Sequence, residues 1–215
     1  MGFLPEAIVN YVALLGWNPG DEREIFTMEE LIEAFDIERI NKSSAAFSLE
    51  KLTWLNGEHI RRLVPQKFHE LALKYYPEGV RHLDLEKISR LIQIRIERFT
   101  EIPTMVKFLY ELPDYDPALF ENPKSKSTLQ SSREILQEVI PLLEGITQWS
   151  NESLFSALKE FATLHGYKIG TVMWPIRTAL SGLFASPGGA TELADLLGKD
   201  ETLRRLKIGL AKLQP

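Results

Sequence analysis

Apolar side chains recur three and four positions apart along almost the whole chain, and apolar–polar alternation never lasts beyond about four residues. That periodicity permits helices and leaves no stretch suited to a half-buried strand, so the expected fold class is all-α. The densest instance is GYKIGTVMWPIRTALSGLFASPGGATELADLLG, Gly166 to Gly198. It reads as two short helices joined by a tight turn. The first is expected from about Gly170 to Leu180, with Val172, Ile176, Leu180 and Leu183 on one side and Pro175 near its first turns. Ser186 and Pro187 then read as a capping hydroxyl and a first-position proline opening a second helix. That helix buries Leu193, Leu196 and Leu197 and stops at Gly198. Arg177 stands one turn before small residues and free backbone donors. A plain helical hairpin accounts for the same pattern.

The other segments are punctuated in the same way. FLPEAIVNYVALLGW predicts a first helix with Leu4, Ile8, Tyr11, Val12 and Leu15 inward. Thr27 with Glu30 forms a capping box over Met28, Leu31, Ile32 and Phe35. After a polar loop at Asn41–Ser44, Ser48 caps a helix with Leu49, Leu52 and Leu55 inward. His59, Arg61 and Arg62 are placed on a short helix of their own, and Gln66 to Lys74 on another. Asp84 opens a long helix expected to reach Phe99, with Ile88, Leu91, Ile92, Arg95 and Phe99 along one side and Arg90 and Arg98 toward solvent. Leu112 to Ser127 reads as a connector. Ser131–Leu143 and Glu152–His165 are amphipathic, the latter with Leu154, Leu158, Phe161 and Leu164 inward. Lys199 to Leu213 closes the chain, with Asp200 and Glu201 at its start and Arg204, Arg205, Lys207 and Lys212 toward its end.

Charge is unevenly spread over the 215 residues, whose net charge is -5. Residues 1–57 carry 4 basic and 10 acidic side chains, whereas residues 58–110 carry 10 and 7. A local basic zone in an acidic chain fits a partner that touches one surface only, and an excess of three over 53 residues also fits chance. No apolar run approaches the roughly 18 residues a membrane span requires, and no signal-peptide pattern opens the chain. The absence of cysteine excludes disulfides and thiolate chemistry and suits a reducing cytoplasm. His69-Glu70 is followed four positions after the histidine by Leu73, so a zinc-protease motif fails, and His59, His69, His82 and His165 form no ligand set.

WPIRTALSG, SPGG and LLGKDETLRRL together resemble the C-terminal anticodon-binding region of bacterial glutamyl-tRNA synthetases. GFLPEAIVNYVALLGW and KSSAAFSLEKLTWLNGEHIRRL resemble the stem-contact segment of that family. The resemblance implies a helical stem-contact segment over residues 1–57, a first anticodon-binding helical subdomain over 58–112 and a C-terminal anticodon-binding α-bundle over 113–215. It implies that Met1 falls just beyond the catalytic domain, since neither the His-Ile-Gly-His-type signature nor the ATP loop is present. The chain alone is then expected to be no enzyme and to hold no cofactor, while the parent ligase uses ATP and magnesium. The implied partner is glutamate tRNA, bound by a monomer in the cytoplasm with no membrane role. By the resemblance, Arg98, the arginine before the phenylalanine in RFTEIPTMVKFLY, reads the third anticodon base. Arg177, Ser186, Pro187, Gly188, Ala190 and Thr191 contact the first two, with Lys42 and Arg95 as additional tRNA contacts. Many relatives carry a leucine and an aromatic after Pro-Gly, where this chain has an extra glycine and then Ala190-Thr191. An all-helical protein-interaction module without RNA binding is the rival reading. A self-contained hydrolase would need a nucleophile, base and orienter, and no such motif appears.

Overall fold

The computed structural model describes residues 1–41 and 46–214. Among these residues every regular element is a helix, and the only β pairings are two isolated bridges, Trp17–Ile40 and Asn122–Ser127. The all-α expectation holds. The chain forms two compact units: Met1–Glu78 with Leu85–Met105, and Gly79–Asp84 with Val106 onward.

The first unit holds α1 (Pro5–Gly16), α2 (Met28–Ala34), α3 (Leu49–Arg62), α4 (Pro65–Ala72), α5 (Leu85–Ile92) and α6 (Ile102–Met105). Thr27 and Glu30 form the expected capping box, and the Ser48 hydroxyl accepts the Lys51 N–H. The buried face of α1 is rotated from the expected one. Leu4, Ala7, Asn10 and Tyr11 are buried, whereas Ile8 and Val12 are exposed. The reason is Asn10. Its amide donates to the Glu24 carbonyl, and its oxygen accepts the Phe26 N–H, so a carboxamide rather than an isoleucine enters the core. Ile32 and Leu49 are likewise exposed. Helix α3 runs through Gly57 without a break, so Arg61 and Arg62 form its last turn rather than a separate helix.

The long helix expected to reach Phe99 ends at Ile92. Buried Gln93 donates from Nε2 to the Ile60 and Leu63 carbonyls at 3.1 and 2.7 Å. These lie in the last turn and at the cap of α3, where the usual helical donors run out; the Ile60 carbonyl also accepts the Leu63 N–H. The chain then turns, and Ile96 and Phe99 enter the core. Phe99 stacks on both Phe68 and Tyr75.

The second unit holds α7 (Lys107–Tyr110), α8 (Leu129–Glu144), α9 (Asn151–Leu164), α10 (Ile169–Ser181), α11 (Ala190–Leu197) and α12 (Lys199–Lys212). Helix α10 is its centre, packed against α8, α9, α11 and α12. Pro175 lies inside α10 rather than near its start. It therefore leaves the Thr171 carbonyl without its usual intrahelical donor. The expected connector is a packed wall: it buries Tyr115 and Phe120, and the Ser132 hydroxyl donates to the Phe120 carbonyl. Leu164, expected inward on α9, is exposed. Helix α12 approaches α10 so closely that a Cβ at Gly209 would stand 2.7 Å from that of Ala179.

Arg205 departs most from expectation. It is 1% exposed and lies in the middle of α12, where the sequence suggested only a basic residue toward the helix end. Its guanidinium donates to the Phe108 and Leu109 carbonyls of α7, each at 2.8 Å, and to the Leu180 carbonyl of α10 at 2.7 Å. One turn earlier on α12, the Glu201 carboxylate accepts its Nε–H at 2.6 Å. Helix-end carbonyls that would otherwise be buried without partners are thus satisfied by one charged side chain. A buried guanidinium is tolerated because it is paired with Glu201 and every one of its nitrogens donates a hydrogen bond.

Hydrogen bonds from Arg204, then from Arg205, hold the Glu201 pKa at about 2, below its ordinary 4.5, against a burial that raises it. Burial lowers the Arg205 pKa from its ordinary value while Glu201 opposes the fall. The two partners respond differently because the arginine is enclosed and the carboxylate is partly solvated. A depressed acid stabilises the fold above its unfolded pKa, and that contribution is lost as pH falls through the folded value. Glu201→Gln should therefore be less stable than wild type at pH 7 by ~1–2 kcal/mol, allowing for solvent screening. The gap should close as pH falls from 4.5 toward 2. Denaturant titrations across that range measure it, and a gap independent of pH contradicts the assignment.

Candidate functional site

The turn between α10 and α11 begins at Gly182, whose φ of +63° is left-handed. A side chain there would also meet Tyr115 Cδ1 at 2.7 Å, so both backbone and space require glycine. The Ser181 hydroxyl donates back to the Arg177 carbonyl and accepts the Leu183 N–H. Helix α11 starts at Ala190, later than Ser186-Pro187 suggested, with Gly189 as its cap residue. The Glu192 carboxylate accepts the Gly189 N–H at 2.7 Å. Ser186 caps nothing. Its hydroxyl donates to the Gly188 carbonyl at 2.7 Å and accepts from Arg177 Nη1 at 3.0 Å.

Arg177 is consequently a brace as well as a charge. Its Nη2 donates to the Phe184 carbonyl at 2.8 Å, so the guanidinium grips the turn at two points. Its Cζ lies 4.3 Å above the Trp174 ring, a cation–π contact one helical turn away. Trp174 is itself fixed by donating Nε1–H to the Leu119 carbonyl. The Phe184 ring meets Trp174 edge-on, 5.8 Å between centroids at 71°. Burial lowers the Arg177 pKa from its ordinary value. With five N–H groups on a guanidinium, two bonds to the turn leave donors for a ligand.

The structure brings Arg177, Ser186, Pro187, Gly188, Ala190 and Thr191 together in one corner, but not all face outward. Pro187, Gly188, Ala190 and Thr191 are buried, and Ser186 is half-buried. This arm therefore presents mainly backbone, and its Gly189 N–H is already engaged. The outward side chains are those of Phe184, Ala185 and Glu192. Phe184 and Trp174 were missed in the sequence. The available signal was a tryptophan three residues before the arginine, at a spacing that stacks side chains on a helix.

Arg98 and Arg95 belong to the other unit, beyond the end of α5 rather than on a helix face. Arg98 has an extended backbone, and its Nε donates to Glu101 Oε1 at 3.1 Å. Glu101 is held by accepting the Glu97 N–H through its other oxygen. Arg98 is half-buried, with its terminal nitrogens beyond that bond. Arg95 is exposed, and its Nε donates to the Leu91 carbonyl at 3.2 Å. Lys42 lies outside the described residues. Among those residues, no helix is long and apolar enough to cross a membrane.

Comparison with known proteins gives this geometry its context. Residues 67–210 match the family "Anticodon binding domain". Residues 1–54 match "tRNA synthetases class I (E and Q), catalytic domain". The segment expected to follow the catalytic domain thus coincides with a stretch that the catalytic-domain family includes. Over 214 residues the chain is 50% identical to a glutamate–tRNA ligase of Clostridium botulinum strain Hall, covering 99% of this chain and 44% of that protein. It is 48% identical to the glutamate–tRNA ligase of Clostridium tetani, with the same coverage. The chain therefore spans less than half the length of these relatives. A crystal structure of a glutamate–tRNA ligase from Elizabethkingia meningosepticum, in complex with its amino acid, superposes with a TM-score of 0.81. Its identity is 27%, over 99% of this chain and 42% of that one. A glutamate–tRNA synthetase from Elizabethkingia anophelis gives 0.76 at 26% identity, over 98% and 41%. With its family match running from residue 67 to 210, this chain belongs to the anticodon binding domain family.

Proposed function

We propose that the chain holds the anticodon stem and loop of glutamate tRNA, reading its bases for ATP- and magnesium-dependent glutamylation elsewhere in a longer, monomeric cytoplasmic ligase. The observation that carries this reading is the corner braced by Arg177, a turn held by the protein's own side chains. Residues 1–57 would contact the stem, 58–112 would carry the first anticodon contacts and 113–215 the second. Unpaired anticodon bases splay outward, so their edges are available to side chains and backbone amides. A turn already held by Arg177, Ser186 and Glu192 loses little freedom when a base docks.

Binding through basic side chains releases counterions from phosphates. The affinity of this chain for an anticodon stem-loop should therefore fall as salt rises, and Arg177→Ala should weaken it. Loss of both the charge and the grip on the Phe184 carbonyl predicts a decrease of about tenfold or more. Unchanged binding by Arg177→Ala would make the corner a structural hairpin.

Glutamate anticodons end in C and glutamine anticodons in G. Glu101 engages Arg98 through its Nε, and the terminal nitrogens can donate to O2 or N3 of cytosine. Guanine is larger and presents an N–H at the corresponding edge. In a full-length ligase containing this chain, Arg98→Gln should narrow the preference for glutamate over glutamine tRNA by about 1–3 kcal/mol. The measurement is kcat/KM for both tRNAs. Equal ratios in wild type and variant would shift the role to Arg95. The chain by itself should catalyse no glutamate-dependent ATP–pyrophosphate exchange, and activity in a preparation free of host synthetase would overturn that expectation.

A further inference from the structure

We infer that the exposed ring of Phe184 is a stacking platform for one unpaired base of the anticodon loop. This rests on the anticodon-binding reading above and specifies how the corner grips a base. The arm after Pro187 offers no apolar surface, because Gly189 has no side chain and Ala190 and Thr191 are 3% and 7% exposed. The arm before it does. Phe184 is 68% exposed in a turn whose neighbours are otherwise small or buried. Its position is nonetheless fixed. The carbonyl of Phe184 is held by Arg177 Nη2, and the ring abuts Trp174, which is anchored to Leu119. An edge-to-face contact with Trp174 occupies the contact zone of one aromatic pair and leaves ring surface open to solvent. The same tryptophan carries the Arg177 guanidinium 4.3 Å above its ring, which places positive charge beside the platform. An aromatic ring next to a cation on a rigid turn suits a nucleobase: the base stacks on the ring while its phosphate is attracted by the charge. The aromatic that this chain lacks after Pro-Gly is thus supplied from the other arm of the turn.

The test uses this chain with a synthetic stem-loop RNA carrying a glutamate anticodon, with 2-aminopurine placed in turn at each loop base. Phe184→Leu should weaken binding by about five- to a hundredfold, the range for removing one stacked base, while Phe184→Tyr should bind as wild type. The slope of affinity against salt should not change in Phe184→Leu, since no phosphate contact is lost. Quenching of 2-aminopurine at one loop position should disappear in Phe184→Leu and return in Phe184→Tyr. Thermal midpoints should differ by no more than the loss of one exposed aromatic pair produces, so that Phe184→Leu remains folded at the temperature of the titration. Wild-type affinity in Phe184→Leu would overturn the platform and leave the anticodon-binding reading intact. Weakened binding with quenching retained, or with no recovery in Phe184→Tyr, would also overturn it, because the ring would then only prop the turn. A wild-type chain that does not bind the stem-loop overturns both inferences.

Discussion

The second unit depends on the buried guanidinium of Arg205. Helix ends are awkward to bury because their last carbonyls have no intrahelical donors. Two such ends meet here, those of α7 and α10, and Arg205 answers both with hydrogen bonds of 2.7–2.8 Å. Its charge is balanced on its own helix by Glu201, which Arg204 also binds. Removing the arginine would strand three carbonyls, and removing only the carboxylate would strand a cation, the costlier kind of vacancy in a core. Gly209 is part of the same arrangement, since it lets α12 come close enough to α10 for the guanidinium to reach.

The corner inherits its rigidity from this anchor. Arg205 fixes the carbonyl of Leu180, two residues before the left-handed Gly182 that turns the chain. Beyond Gly182, Arg177 takes over and holds the Phe184 carbonyl and the Ser186 hydroxyl from the last turns of α10. Glu192 then fixes Gly189 at the start of α11. The turn is thus tied at its entry, middle and exit by charged side chains of α12, α10 and α11 in turn. Such pre-organisation lowers the ordering cost of binding, which often decides whether a small interface has useful affinity. Arg98 is prepared in a comparable way in the first unit, where Glu101 holds one edge of its guanidinium.

Local signals were legible in the sequence and long-range ones were not. The Thr27–Glu30 box and the Ser48 cap depend on residues three apart, and both appear as expected. The class of the fold followed from periodicity alone. Asn10 and Arg205 sit on helices, and Gln93 directly after one, at positions where a polar side chain would ordinarily face water. The backbone groups they bond lie 14 to 97 residues away, so no local pattern reveals that they are buried. The same blindness extended the helix after Asp84 to Phe99 and turned the face of α1. At the corner, SPG correctly marked a turn, but the first helical residue is Ala190 because Ser186 is committed to Arg177 and Gly188.

The central claim is that this pre-built turn, together with the Arg98 region, is where the chain meets an anticodon loop. Nitrogen–proton correlation spectra of the labelled chain, recorded as the stem-loop RNA is added, test it most directly. The account predicts shifts concentrated at the amides from Leu183 to Thr191 and around Arg98, with the side-chain Nε signals of Arg177 and Arg98 among the most affected. Shifts confined to other helices, such as the exposed sides of α8 and α9, with the corner unchanged, would contradict it.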